Sequence, residues 1–188
     1  DGSSTSINMP LYQQGDILCN ELLTYSILKD GFNFIGISQG GILGRYYIER
    51  CNGYKVNNFI TLVTPHGGVY KEINTVFDIY GKWYQEHTSF SSYWRDPYRY
   101  NTYLMVTLLA NMNNEIITIN SEKNKQNLLS LSNFVMVYSP RDTIVTPPES
   151  GKFSTYKVDS QDVISLENTI MYENLGLKEL ESNNKLHI

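Results

Sequence analysis

The stretch FNFIGISQGGILG, residues 32 to 44, limits the fold of this chain more than any other segment. An apolar run of strand character leads into a serine with a glycine two residues to either side. A helical pattern, QGGILGRYYIERC, follows at once. A strand that turns this sharply into a helix strains the backbone at the turn residue. Gly36 and Gly40 are expected to remove side chains that would collide there. The turn pushes the hydroxyl of Ser38 beyond the sheet edge, at a helix N-terminus. Unpaired N–H groups and the helix dipole favour developing negative charge at that point. The N–H of Gln39 is expected to point there. The competing reading is a Gly-Ser turn with no chemistry.

The rest of the chain fits this unit. Residues Gln14 to Leu28 place Ile17, Leu18, Leu22, Ile27 and Leu28 at helical spacing, with Gly31 as a stop. FNFIGIS, VNNFITLVT and NFVMVYS read as short buried strands, and KLHI begins a fourth. Between the second and third lies an aromatic-rich segment, approximately 69–131, without strand character. In it NTYLMVTLLANMN and SEKNKQNLLSL read as helices, the second opened by a serine cap. Buried strands alternating with helices predict an α/β fold: a mostly parallel sheet flanked by helices, with a helical aromatic-rich insertion over one end.

The 188 residues suffice for one domain with a core. The net charge of −4 gives no electrostatic reason to expect nucleic acid. No run of about 18 apolar residues predicts a transmembrane segment, and no N-x-[ST] acceptor occurs. The chain opens on polar residues with no signal peptide, which fits a processed or cropped N-terminus. Two cysteines, Cys19 and Cys51, are too few for a disulfide scaffold; they are either two buried thiols or one pair.

A nucleophilic serine on such an elbow is followed in chain order by a carboxylate and then a histidine. Asp142, in the turn after FVMVYS, fits the carboxylate, which would orient the histidine and stabilise the imidazolium. Its alternative role is to start a turn through its own backbone. Asp159 and Asp162 fit less well, because no strand leads into them. Of the three histidines, His66 in TPHGG precedes Asp142 and is expected to brace loops. His87 lies in the insertion as a surface or packing residue. His187 has the right order but sits inside the apolar run KLHI.

Several segments together resemble the palmitoyl-protein thioesterase group of α/β-hydrolases. GFNFIGISQGG is similar to that group's nucleophile strand and elbow, and NNFITLVTPHGGVY to the next strand and its histidine loop. SSYWRDP resembles a signature of the lid region, FVMVYSPRDTIVTPPESGKF the acid-bearing strand and turn, and ENTIMYENLGLKELESNNKL the segment beyond. The resemblance implies Ser38 as nucleophile, Asp142 as triad acid and Gln39 N–H as an oxyanion donor. It also implies a disulfide between Cys19 and Cys51. It implies no cofactor and no metal.

The implied activity is removal of long-chain fatty acyl groups from S-acylated cysteines through a serine acyl-enzyme. Substrates would be S-acylated proteins or peptides and fatty acyl thioesters, in a lysosomal or secreted setting. The acyl chain would lie along the insertion, around Phe77 to Met112. The family's histidine follows the KLHI strand and its other oxyanion loop precedes Asp1, so the chain reads as a partial α/β-hydrolase domain lacking both. Other readings are a lipase or carboxylesterase on oxygen esters, and a non-catalytic lipid-binding protein of the same fold.

Overall fold

The computed structural model describes residues 2–72 and 78–188; Phe77, where the expected acyl groove begins, lies outside the described residues. The strands are β1 (Phe32–Ile37), β2 (Val56–Leu62), β3 (Asn133–Val137), β4 (Thr155–Tyr156), β5 (Val163–Ile164) and β6 (Leu186–His187). The helices are α1 (Gly2–Asn8), α2 (Leu11–Thr24), α3 (Gln39–Tyr46), α4 (Lys82–His87), α5 (Tyr100–Val106), α6 (Leu108–Met112), α7 (Ser121–Leu129), α8 (Ile170–Asn174) and α9 (Leu177–Ser182). Strands β1-β2-β3-β6 form one parallel sheet in that order, while β4 and β5 make a small antiparallel pair that the sequence pattern did not predict.

The strands were expected to be buried, but they alternate. Phe59 and Phe134 pair across β2 and β3, and both are fully buried beneath the helices. Burying such a ring contributes about 1.5–3 kcal/mol. On the other face Ile35 and Ile37 are each 62% exposed. That face also carries a polar ladder. Asn58 donates to Asn33 at 2.7 Å, Asn133 donates to Asn58 at 2.7 Å, and His187 Nε2 lies 3.0 Å from Asn133 Oδ1.

Helix α2 follows part of the expected stripe: Leu18 and Leu22 pack on the core beside the buried Leu11, Gly15 and Cys19, whereas Ile17 is exposed and the helix ends at Thr24, before Ile27 and Leu28. Two contacts set that register. The ring of Tyr46 lies directly on Gly15, and Cys19 is joined to Cys51 by a disulfide with Cα atoms 6.1 Å apart. Helix α3 continues through a wider π turn, Tyr47–Cys51, which ends on Asn52 in the left-handed region.

Residues 69–131 hold α4 to α7 and a satellite core of Tyr80, Tyr103, Leu109 and Ala110 with Phe90 and Trp94 packed on it. NTYLMVTLLANMN forms two helices instead of one. Thr107 breaks it, its hydroxyl donating to Tyr103 O and accepting from Ala110 N–H. The cap of α7 is Asn120 rather than Ser121, whose Oγ accepts the N–H of Thr118 ahead of the helix.

Candidate active site

Ser38 joins β1 to α3 at φ 51° and ψ −125°, a conformation that costs a non-glycine residue on the order of 1–3 kcal/mol. Its N–H donates to Leu62 O at 2.8 Å, and its C=O accepts Gly41 N–H at 3.0 Å. These bonds pin the elbow to the end of β2 and to its own helix. The residue is half-buried, and among the described residues nothing hydrogen-bonds its Oγ.

Gly36 and Gly41 each leave room for a close neighbour, and of the elbow glycines only Gly40 departs from the collision expected of it. A Cβ on Gly36 would lie 2.5 Å from Gly41 Cα, so a side chain there is excluded. A Cβ on Gly41 would overlap the buried Thr64 side chain. A Cβ on Gly40 would meet nothing within 4 Å. Close approach of helix to sheet thus depends on Gly36 and Gly41, and Gly40 leaves the space in front of the helix open.

The Gln39 N–H occupies the first helical position and has no acceptor within α3. Its side chain is fixed: Nε2 donates to Ser6 O at 2.9 Å and to Gln14 Oε1 at 3.2 Å, and Oε1 accepts Tyr93 OH at 3.1 Å. Tyr93 belongs to SSYWRDP, so that segment reaches the residue beside Ser38. Arg95 of the same segment bonds Glu115 at 2.9 Å and Tyr156 O at 3.0 Å, and Asp96 Oδ1 accepts Tyr98 N–H.

Asp142 lies past the C-terminal end of β3. Val63 N–H donates to Val137 O at 2.8 Å, so the ends of β1, β2 and β3 are tied in sequence. Two strand spacings, about 10 Å, separate the ends of β1 and β3. Asp142 Oδ1 accepts the N–H groups of Ile144 at 2.8 Å and Val145 at 3.0 Å. The turn role is therefore real, and it orients the carboxylate while Oδ2 takes no bond from a described residue.

None of the three histidines sits between Ser38 and Asp142. His66 is fully buried, stacked 4.5 Å from Phe153 and edge-on to Phe134, with Nε2 3.0 Å from Thr61 Oγ1. Burial, then the nearby Arg45 charge, hold it well below the usual histidine range, so it stays neutral. His87 is exposed and stacks on Trp83. His187 pairs in register with Val135 and bonds Asn133, at the opposite end of β3 from Asp142.

Sequence reasoning missed the polar core beneath the elbow helix. Arg45, fully buried, donates to Glu49 at 2.7 Å, Asn113 Oδ1 at 2.9 Å and Met112 O at 3.2 Å. Asn113 in turn donates to His66 O at 3.0 Å. Burial pushes the Glu49 carboxyl up against the pull of Arg45. The only sequence signal was an Arg and a Glu four apart, which equally describes an exposed helix pair. Val63, β-branched yet at φ 47°, is a second strained residue beside the elbow. Beside α3 a groove of about 630 Å³ is walled by Tyr12, Leu104, Val106, Leu108 and Ile116; neither Ser38 nor Gln39 lines it.

A parallel sheet whose first strand ends in a strained serine elbow, with helices packed on it and an acid after a later strand, defines the α/β-hydrolase class. The family model described as palmitoyl protein thioesterase matches residues 1–188, and the chain belongs to that family. It is similar to Palmitoyl-protein thioesterase 3 of Dictyostelium discoideum, 36% identical over 85% of this chain and 59% of that protein. The Palmitoyl-protein thioesterase-dolichyl pyrophosphate phosphatase fusion 1 of Schizosaccharomyces pombe is 32% identical over 94% of this chain and 31% of its own length. Lysosomal thioesterase PPT2 of Homo sapiens is 29% identical over 80% and 54%. The chain thus spans between about 31% and 60% of the length of these curated relatives.

Proposed function

We propose that this chain carries the nucleophile and acid of a serine hydrolase that releases long-chain fatty acyl groups from cysteine thioesters. The supporting observation is Ser38 on its left-handed elbow, its hydroxyl bonded by no described residue, in a member of this family. Ser38 Oγ attacks the thioester carbonyl, and an imidazole takes its proton. The N–H of Gln39 stabilises the oxyanion. Collapse expels the thiolate, which takes the proton from the imidazolium, and the acyl-enzyme remains. Water, deprotonated by the same imidazole, then releases the fatty acid.

Asp142 Oδ2 orients that imidazole. We assign the base to a histidine of the whole protein other than His66, His87 and His187. The groove along Leu104, Val106 and Leu108 takes the acyl chain, and residues 69–131 act as the insertion that holds it. S-acylated proteins or peptides are the substrates. The Cys19–Cys51 bond suits an oxidising compartment, and relatives are named lysosomal thioesterases, so the setting is lysosomal or secreted.

The test is hydrolysis of a palmitoyl thioester and its oxygen-ester analogue by the full natural gene product, beside Ser38→Ala. Thioester turnover that exceeds ester turnover and vanishes in the variant is expected. A folded wild type without thioester turnover, or a variant as active as wild type, overturns the reading.

A further inference from the structure

A second cavity lies on the far side of α3 from the elbow. It encloses about 280 Å³ between the end of α3 and the start of α7, with Asp16, Arg50, Asn111, Asn120, Lys123 and Asn124 in its wall. Tyr46, which also lines it, is eight residues beyond Ser38, about 12 Å along the helix axis.

Its donors exceed its acceptors. Arg50 donates to Asn111 Oδ1 at 2.5 Å and lies over the Tyr46 ring, yet its Nε is buried with no partner among the described residues. Among the described residues neither Arg50 nor Lys123 forms an ion pair. Asn124 is 4% exposed, lines the cavity, and its side-chain amide bonds no described residue. Leaving the buried Arg50 Nε–H unpaired among the described residues is costly unless something in the cavity pairs with it. Helix α7 runs nine residues; Ser121 N–H already bonds Thr118 O and Glu122 lies in the same turn, but the cap residue Asn120 makes no side-chain cap bond, so the following first-turn N–H groups add their dipole to the site. The one carboxylate, Asp16, already accepts Tyr46 OH at 2.7 Å.

We propose that this cavity binds a phosphate group, held by Arg50, Lys123 and the Asn124 amide at the start of α7. The phosphate is either free or carried on a lipid headgroup, and both present the same oxyanion. The cavity shares Tyr46, Arg50 and Asn111 with the groove assigned to the acyl chain but no residue with Ser38, Gln39 or Asp142, and phosphate binding is read separately from thioester turnover, so failure of one reading is distinguishable from failure of the other.

Calorimetric titration with inorganic phosphate at low salt tests it. Lys123→Gln and Asn124→Asp should each weaken binding about tenfold or more, the loss of one charge-assisted contact, and Lys123→Arg should retain it. Lys123 is exposed, so its variant does not threaten the fold, and a melting curve checks Asn124→Asp. Flotation with phosphatidylcholine vesicles, with and without phosphatidic acid, identifies the source. Flotation that needs phosphatidic acid and is lost in the variants assigns a headgroup. Phosphate binding without selective flotation assigns the free anion. Both outcomes uphold the pocket. Absence of phosphate binding by wild type, or affinity unchanged in both weakening variants, overturns it.

Discussion

Alanine at Gly41 and alanine at Gly40 should shift stability in opposite directions, although the two residues adjoin on one helix. At Gly40 the new methyl meets open space, and only the backbone effect remains. Replacing a helical glycine with alanine then stabilises by about 0.4–1 kcal/mol. At Gly41 the new methyl overlaps the Thr64 side chain, which is fully buried and joined to rigid backbone at the end of β2. Overpacking of this kind costs about 1–3 kcal/mol. Offset by the same helix gain, a net loss of about 1 kcal/mol is expected. Urea midpoints at unchanged slope measure both. Thr64→Ala should recover part of the Gly41→Ala loss, because it removes the two closest atoms and leaves Cβ at 2.8 Å. Equal effects at Gly40 and Gly41, or strict additivity of Gly41→Ala with Thr64→Ala, would refute this account of the elbow.

Three further outcomes follow from the structure. Replacing Cys19 and Cys51 by serine opens a loop with a sequence separation of 32, worth about 3.7 kcal/mol in the chain-entropy estimate; a loss below about 1 kcal/mol would mean the denatured chain is already compact. His66, depressed by burial, contributes stability above its unfolded value that is lost as pH falls through its folded value. Stability below about pH 6.5 should therefore drop by up to about 1.4 kcal/mol per pH unit, and His66→Phe should remove that component; parallel pH profiles for the two proteins would contradict the buried neutral ring. Glu49 acts with opposite sign, its raised carboxyl losing stability as pH rises through its folded value, so a Glu49→Gln variant should lose less stability than wild type on raising the pH from 5 to 8.

Local chemistry made the elbow legible in the sequence. A serine between Gly36 and Gly40, after an apolar run and before a helix, admits few backbone paths, and the structure follows one of them. The parallel order of β1, β2 and β3 also followed from strands alternating with helices, and Asp142 lies on the turn expected of it. Tertiary structure alone decided the rest. Periodicity placed Ile17 inward, but a disulfide and a ring on Gly15 turned α2 to bury Cys19 instead. An Arg and a Glu one turn apart read the same whether exposed or buried; only the meeting of α3 with Met112 and Asn113, over sixty residues away, made Arg45 a core residue. Sequence spacing records what neighbours along the chain can do. Which surfaces meet, and so which polar groups lose water, depends on contacts that form only when the whole chain packs.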